Sequence, residues 1–152
     1  MRKRKIQKNF IYEGCGFPVH LLNVPMVHVR NVWAPELDYN KLDASVLQAL
    51  AFKLSRLTGN EIYFVRHYFE MTTTRFATRF DVSFAAVLKW EKMSDQPTKM
   101  NWTTEKDLRL FIIKHTVNKP KILDELYGKL ETVVEVMKSE IKIDVQEHVV
   151  AA

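Results

Sequence analysis

Lys89, Arg75 and Arg79 are cations whose side chains could contact the phosphates or base edges of a nucleic acid. Arg75 and Arg79 stand one helical turn apart, so they share a face from which both can reach phosphate; a solvated pair of surface arginines is the plainer reading of the same spacing. Lys89 can donate to guanine O6 or N7, or to a phosphate oxygen. Phe84 and Ala85 share the expected exposed face with Leu88 and Lys89. They carry no hydrogen-bonding side chain and could meet thymine methyl groups, while the competing explanation is that Phe84 packs against another part of this protein. Catalysis has no comparable set. His20, His28, His67, His115 and His148 are scattered, no His-Glu-x-x-His spacing occurs, and Gly14 and Gly16 lack the third glycine and helix start of a phosphate loop. Cys15 reads as a small loop residue more readily than as a reactive thiol. No enzyme activity, metal or cofactor is expected.

The elements that must position these residues are written in the local pattern. Thr58-Gly59-Asn60-Glu61 forms a capping box ahead of an apolar run: the Thr58 hydroxyl accepts from the Glu61 amide, and the Glu61 carboxylate reaches back to the Thr58 amide. The helix it opens buries Ile62, Val65 and Phe69. Met71 turns the chain, and Thr72 caps a second helix that buries Phe76, Ala77 and Phe80. Asp81-Val82-Ser83 turns it again, because Asp tolerates the left-handed conformation better than most residues. Ser83 caps a third helix with Val87 and Trp90 inside. Ala77 is small enough for the second and third helices to approach closely.

This pattern resembles the helix-turn-helix of lambda-type phage repressors and the Cro/repressor-like (XRE) regulators. The matching residues are Val65-Arg66, Met71-Thr72, Phe76-Ala77, Phe80, Val82-Ser83, Val87 and Lys89-Trp90-Glu91. The resemblance implies a mainly α (α+β) protein: a lambda-repressor-like helical core, a small N-terminal antiparallel β segment and a C-terminal amphipathic helix. It implies that the third helix lies in the major groove, with Ser83, Phe84, Ala85 and Lys89 toward the DNA. Thr73 stands where many relatives have a phosphate-gripping Gln; its hydroxyl can do the same over a shorter reach, at a helix end that itself attracts anions. Arg75 and Arg79 would add phosphate contacts. Arg66 and Glu91 occupy positions that pair in this family, tying the first helix to the end of the third.

A wider stretch is similar to MqsA- and HigA-like antitoxins: Tyr12-Glu13, Cys15-Gly16, Val19, Leu21-Leu22-Asn23, Leu57 to Ile62, and Asn118 to Ile122. Such antitoxins often carry paired Cys-x-x-Cys zinc ligands, and a chain whose one cysteine is Cys15 cannot build that four-ligand site. The implied function is a sequence-specific transcriptional regulator of double-stranded DNA. It would be a homodimeric repressor and, by the wider resemblance, the antitoxin partner of a RelE-like toxin. A protein-interaction module on the same scaffold, without DNA binding, is the competing reading.

The rest of the chain divides into a basic arm and small β region (1–42), the helical DNA-binding region (43–116), and a C-terminal helix and tail (117–152). Ile6 to Tyr12, Val19 to Leu22 and Met26 to Val32 read as short strands, with Trp33-Ala34-Pro35 ending the sheet. From Asp43 a helical stripe follows: Leu47, Leu50, Ala51, Leu54 and Leu57. A helix from Thr104 to about His115 buries Leu108, Phe111 and Ile112. Pro120 opens the last helix, with Leu123, Leu126, Tyr127, Leu130, Val134 and Met137 in line, either a dimer surface or simple packing on its own core. A loose tail is expected beyond Glu140. The chain has 152 residues, 47% of them apolar, enough for one packed domain. Its formal charge of +5 matches the five bases Arg2, Lys3, Arg4, Lys5 and Lys8, an arm that either reaches phosphate or stays solvated. No apolar run is long enough to span a membrane and no secretory signal is evident. With a lone cysteine, the expected compartment is the cytoplasm.

Overall fold

A computed structural model describes residues 2–134 and 138–148 of the chain. Three consecutive strands form an antiparallel meander: β1 (Arg4–Tyr12), β2 (Val19–Val29) and β3 (Val32–Pro35). Arg30 and Asn31, both at positive φ, make the two-residue turn between β2 and β3, the backbone twist that tight hairpins require. Six helices carry the chain onward: α1 (Tyr39–Ala51), α2 (Gly59–Tyr68), α3 (Thr73–Arg79), α4 (Phe84–Glu91), α5 (Trp102–Thr116) and α6 (Pro120–Lys129). The chain then returns to the sheet. β4 (Lys142–Asp144) runs parallel to β2, pairing Leu21 with Ile143, before the single turn α7 (Val145–His148).

The architecture is therefore α+β, built on a four-stranded mixed sheet, and not a mainly helical core with a small β segment. Two local features hide the sheet from sequence periodicity. Asn23 takes a left-handed φ of 57°, and the buried positions change from Val19 and Leu21 before it to Val24 and Met26 after it. Pro25 follows, yet β1 holds one constant register against β2 from Arg4↔Val27 to Tyr12↔Val19. What reads as two short strands is one of eleven residues. Trp33-Ala34-Pro35 continues the sheet as β3, since Pro is tolerated at a strand end. The segment beyond Glu140 is not a loose tail: Ile141, Ile143 and Val145 are buried.

Helix α1 starts at Tyr39, where the Asp38 carboxylate accepts from the Asn40 and Lys41 amides. It buries Leu42, Val46, Leu47, Leu50 and Ala51 and ends there, so Leu54 falls outside the helix and is exposed while Leu57 is buried in the following segment. Helix α5 packs on α1 through Leu108, Ile112 and Ile113, with Phe111 half-buried. Of the C-terminal stripe, Leu126 and Leu130 are consumed by this core, Tyr127 is exposed, and Met137 lies outside the described residues.

Buried charge holds the connection between α1 and α2. Arg109 and Glu105, one turn apart on α5, are both fully buried. The Glu105 carboxylate accepts from Arg109 Nη2 at 2.8 Å and Nε at 3.1 Å, from Arg56 Nε at 2.8 Å, and from the Leu57 amide at 3.3 Å. Arg109 also donates to the carbonyls of Ala51 at 3.3 Å, Ser55 at 2.7 Å, and Lys53. Burial pulls the Arg109 guanidinium below its ordinary pKa, and Glu105 works against that pull. Next along, Lys53 Nζ donates to both Glu61 oxygens, at 2.8 and 2.7 Å. Charges this deep add little net stability as intact pairs, but removing one partner strands the other. Glu105→Ala is expected to lower unfolding free energy by about 3–5 kcal/mol. Chemical denaturation measures it, and a loss below about 1 kcal/mol would show that Arg109 needs no counter-charge.

Candidate nucleic-acid interface

The capping box forms as its residues dictate. The Thr58 hydroxyl accepts from the Glu61 amide at 3.3 Å, and the Glu61 carboxylate accepts from the Thr58 amide at 2.9 Å. Because the same carboxylate holds Lys53, the cap is also the joint between α2 and the buried charge network. Gly59 is required here for space: a Cβ would collide with the Trp90 carbonyl and lie 2.7 Å from the Ser94 amide nitrogen. The start of α2 thus rests directly on the end of α4.

Helix α2 buries Ile62 and Val65 and ends at Tyr68; just beyond its cap, Glu70 turns the chain with a φ of 53°. The Thr72 hydroxyl caps α3 by accepting from the Arg75 amide at 3.1 Å, and Phe76, Ala77 and Phe80 turn inward. Asp81 takes the left-handed conformation, φ 55°, while the Val82 amide donates to the Ala77 carbonyl at 3.0 Å. The Ser83 hydroxyl then caps α4 through the Ala86 amide at 3.0 Å. Val87 and Trp90 are buried.

Arg66 and Glu91 lock the unit. Arg66 donates from Nε to Glu91 Oε2 at 2.7 Å, from Nη2 to Oε1 at 2.9 Å, and from Nη1 to the Met71 carbonyl at 3.1 Å. One guanidinium therefore ties α2 to the end of α4 and to the loop before α3. The Glu91 hydrogen bonds raise the Arg66 pKa further, against the opposing effect of burial. This planar fork needs arginine; lysine has one nitrogen and could not span all three acceptors.

The outward face of α4 presents Ser83, Phe84, Ala85, Leu88 and Lys89, with Phe84 50% and Leu88 39% exposed. Arg75 is exposed on α3, and Thr73 beside it is half-buried. Arg79 already has an internal partner. Its Nη1 donates to Asp107 Oδ2 at 3.0 Å, and its guanidinium lies 4.8 and 4.9 Å from the Phe80 and Phe111 ring centres. The pair with Asp107 is solvent-exposed on both sides, so a phosphate can compete for it at small cost. Sequence reasoning missed Asp107, Gly59 and the Lys53–Glu61 joint. Asp107 and the Lys53–Glu61 joint are visible only once α5 and the 51–57 segment are in place, and Gly59 only once the end of α4 lies against it.

No protein-family model, curated protein or solved structure matches the chain. No helix among the described residues is long and apolar enough to cross a membrane.

Cys15 is buried beside Asp43, with Sγ 3.9 Å from its carboxylate. Burial, and then the negative charge of Asp43, push the thiol up to about 12. The reactive thiolate is therefore scarce at neutral pH. In the native protein, alkylation at pH 8 is expected to run about a hundredfold or more below that of a free thiol and to speed up on unfolding. Mass spectrometry of iodoacetamide-treated protein measures this; labelling at the free-thiol rate would contradict the buried site.

Proposed function

We propose that the chain is a sequence-specific DNA-binding transcriptional regulator of the Cro/repressor-like kind, with α4 as its reading helix. One observation carries the reading: α4 is fixed from behind by Trp90, Val87 and the Arg66–Glu91 fork, while Phe84, Ala85, Leu88 and Lys89 face solvent. A helix held rigidly by its inner face and free along its outer face is what insertion into a major groove requires. Lys89 would donate to a guanine edge or phosphate, Phe84 and Ala85 would meet thymine methyl groups, and Arg75, Thr73 and the Ser83 end of α4 would meet the backbone. Arg79 would join them by exchanging Asp107 for phosphate. One such helix reads few base pairs, so the regulator acts as a homodimer on paired half-sites, as a repressor in the cytoplasm. Pairing with a RelE-like toxin would extend this to an antitoxin role, on the strength of sequence resemblance alone.

A second reading draws on the half-exposed Phe84 and Leu88: an apolar helix face that docks another protein without DNA. Salt separates the two. Duplexes selected from a random library at low salt are expected to bind the full chain, with log affinity falling by about 0.9 per log unit of salt for each phosphate contacted. Lys89→Ala should weaken the selected site by about 1–3 kcal/mol while leaving thermal stability unchanged. Failure to enrich any duplex, or affinity indifferent to both salt and Lys89, would reject the regulator and leave the docking module.

A further inference from the structure

We propose that the free edge of β1 accepts an acidic, extended polypeptide segment as an added strand. This rests on β1 alone and is independent of whether α4 reads DNA. β1 lies at the border of the sheet: eight of its nine residues, all but Lys8, pair with β2 on one side, and β1 pairs with no other strand among the described residues. Along that border the backbone leaves alternate N–H and C=O groups unpaired over about 30 Å. Of the usual protections of an edge, β1 carries basic side chains but neither a bulge nor a proline. The constant register shows no bulge, and no Pro interrupts the strand. Ile6 is 61% and Ile11 54% exposed.

Charge decides what fits. Arg2, Lys3, Arg4, Lys5 and Lys8 are all exposed, and no Asp or Glu occurs from residue 2 to Tyr12. Arg4 reaches Glu36 at 3.3 Å across an exposed pair, and Lys5 lies 4.4 Å from the Trp33 ring centre. Neither contact is buried deeply enough to bar exchange with a stronger anionic partner. A second copy of β1 laid against the first would bring these cations face to face, and like charges on opposed strands repel. A nucleic acid would answer the charges but leave the row of backbone groups and the two isoleucines without partners. A strand alternating acidic and β-branched residues pairs the open backbone, sets its acids on the face that carries Arg4 and Lys8, and lays its β-branched side chains on the opposite face beside Ile11; strand addition to an open edge is a general mode of peptide recognition.

The test uses the full chain and a fluorescent, end-blocked peptide of alternating Glu and Val, as long as β1. Saturable binding is expected, with slowed hydrogen exchange at β1 amides. Replacing the central Val by Pro removes one backbone donor and should weaken binding about tenfold, without changing the peptide's charge. Lys8→Glu, at an exposed position, should cost a similar factor with the thermal midpoint unchanged. Two results would overturn the proposal. One is no saturable binding at low salt. The other is equal binding of the Pro-containing peptide and of a single-stranded oligonucleotide of the same charge, which would make this edge a general polyanion surface.

Discussion

Glu105 is the group around which the polar architecture turns. Fully buried on α5, it holds two guanidinium groups and a backbone amide, and through Arg109 it fixes the carbonyls of Ala51, Lys53 and Ser55. The seven-residue connection between α1 and α2 is thereby tied to α5 through its own backbone. From it the order passes along a chain of charged contacts. Lys53 grips Glu61, Glu61 caps α2, α2 carries Arg66, and Arg66 holds Glu91 at the end of α4. Buried ion pairs contribute little net stability because desolvation offsets most of their attraction. What they supply here is position: each carboxylate has too many fixed donors to sit anywhere else. Trp102 closes the assembly, with the Arg56 and Arg109 guanidinium groups 5.3 and 5.7 Å from its ring centre.

Where the determinants are local, the sequence is an adequate guide. Thr58 and Glu61 cap each other within one turn, Asp81 takes the left-handed turn that a short Asx side chain permits, and Ser83 caps the helix it precedes. The Arg66–Glu91 pair is legible only through resemblance, since nothing in a spacing of twenty-five residues announces it. Non-local determinants are hidden. β4 has three residues, too few to show a period, and its partner strand lies more than a hundred positions earlier. Asn23 and Pro25 break the alternation of β2, and only the register with β1 reveals one strand. Glu105 and Arg109 look like ordinary charges on an exposed helix face until the 51–57 segment folds over them. Gly59 is unremarkable in sequence and becomes obligatory when Trp90 arrives beside it.

The outer face of α4 is chemically unusual for a base-reading helix. Lys89 is its one charged group, and Phe84, Ala85 and Leu88 supply apolar surface. Discrimination would then come more from methyl contacts and shape than from paired hydrogen bonds, while phosphate contacts supply affinity. The basic strand β1 belongs to a different part of the molecule. Its cations Arg4, Lys5 and Lys8 stand in an ordered sheet border, spread over both faces of a strand paired with β2. Two surfaces with distinct chemistry thus sit on one framework.

Amide hydrogen exchange of the full chain, with and without a selected duplex at low salt, tests the central claim most directly. New protection is expected between Thr72 and Lys89, strongest at the start of α4, with β1 unchanged. Protection confined to residues 2–12, or none along α4, would contradict it.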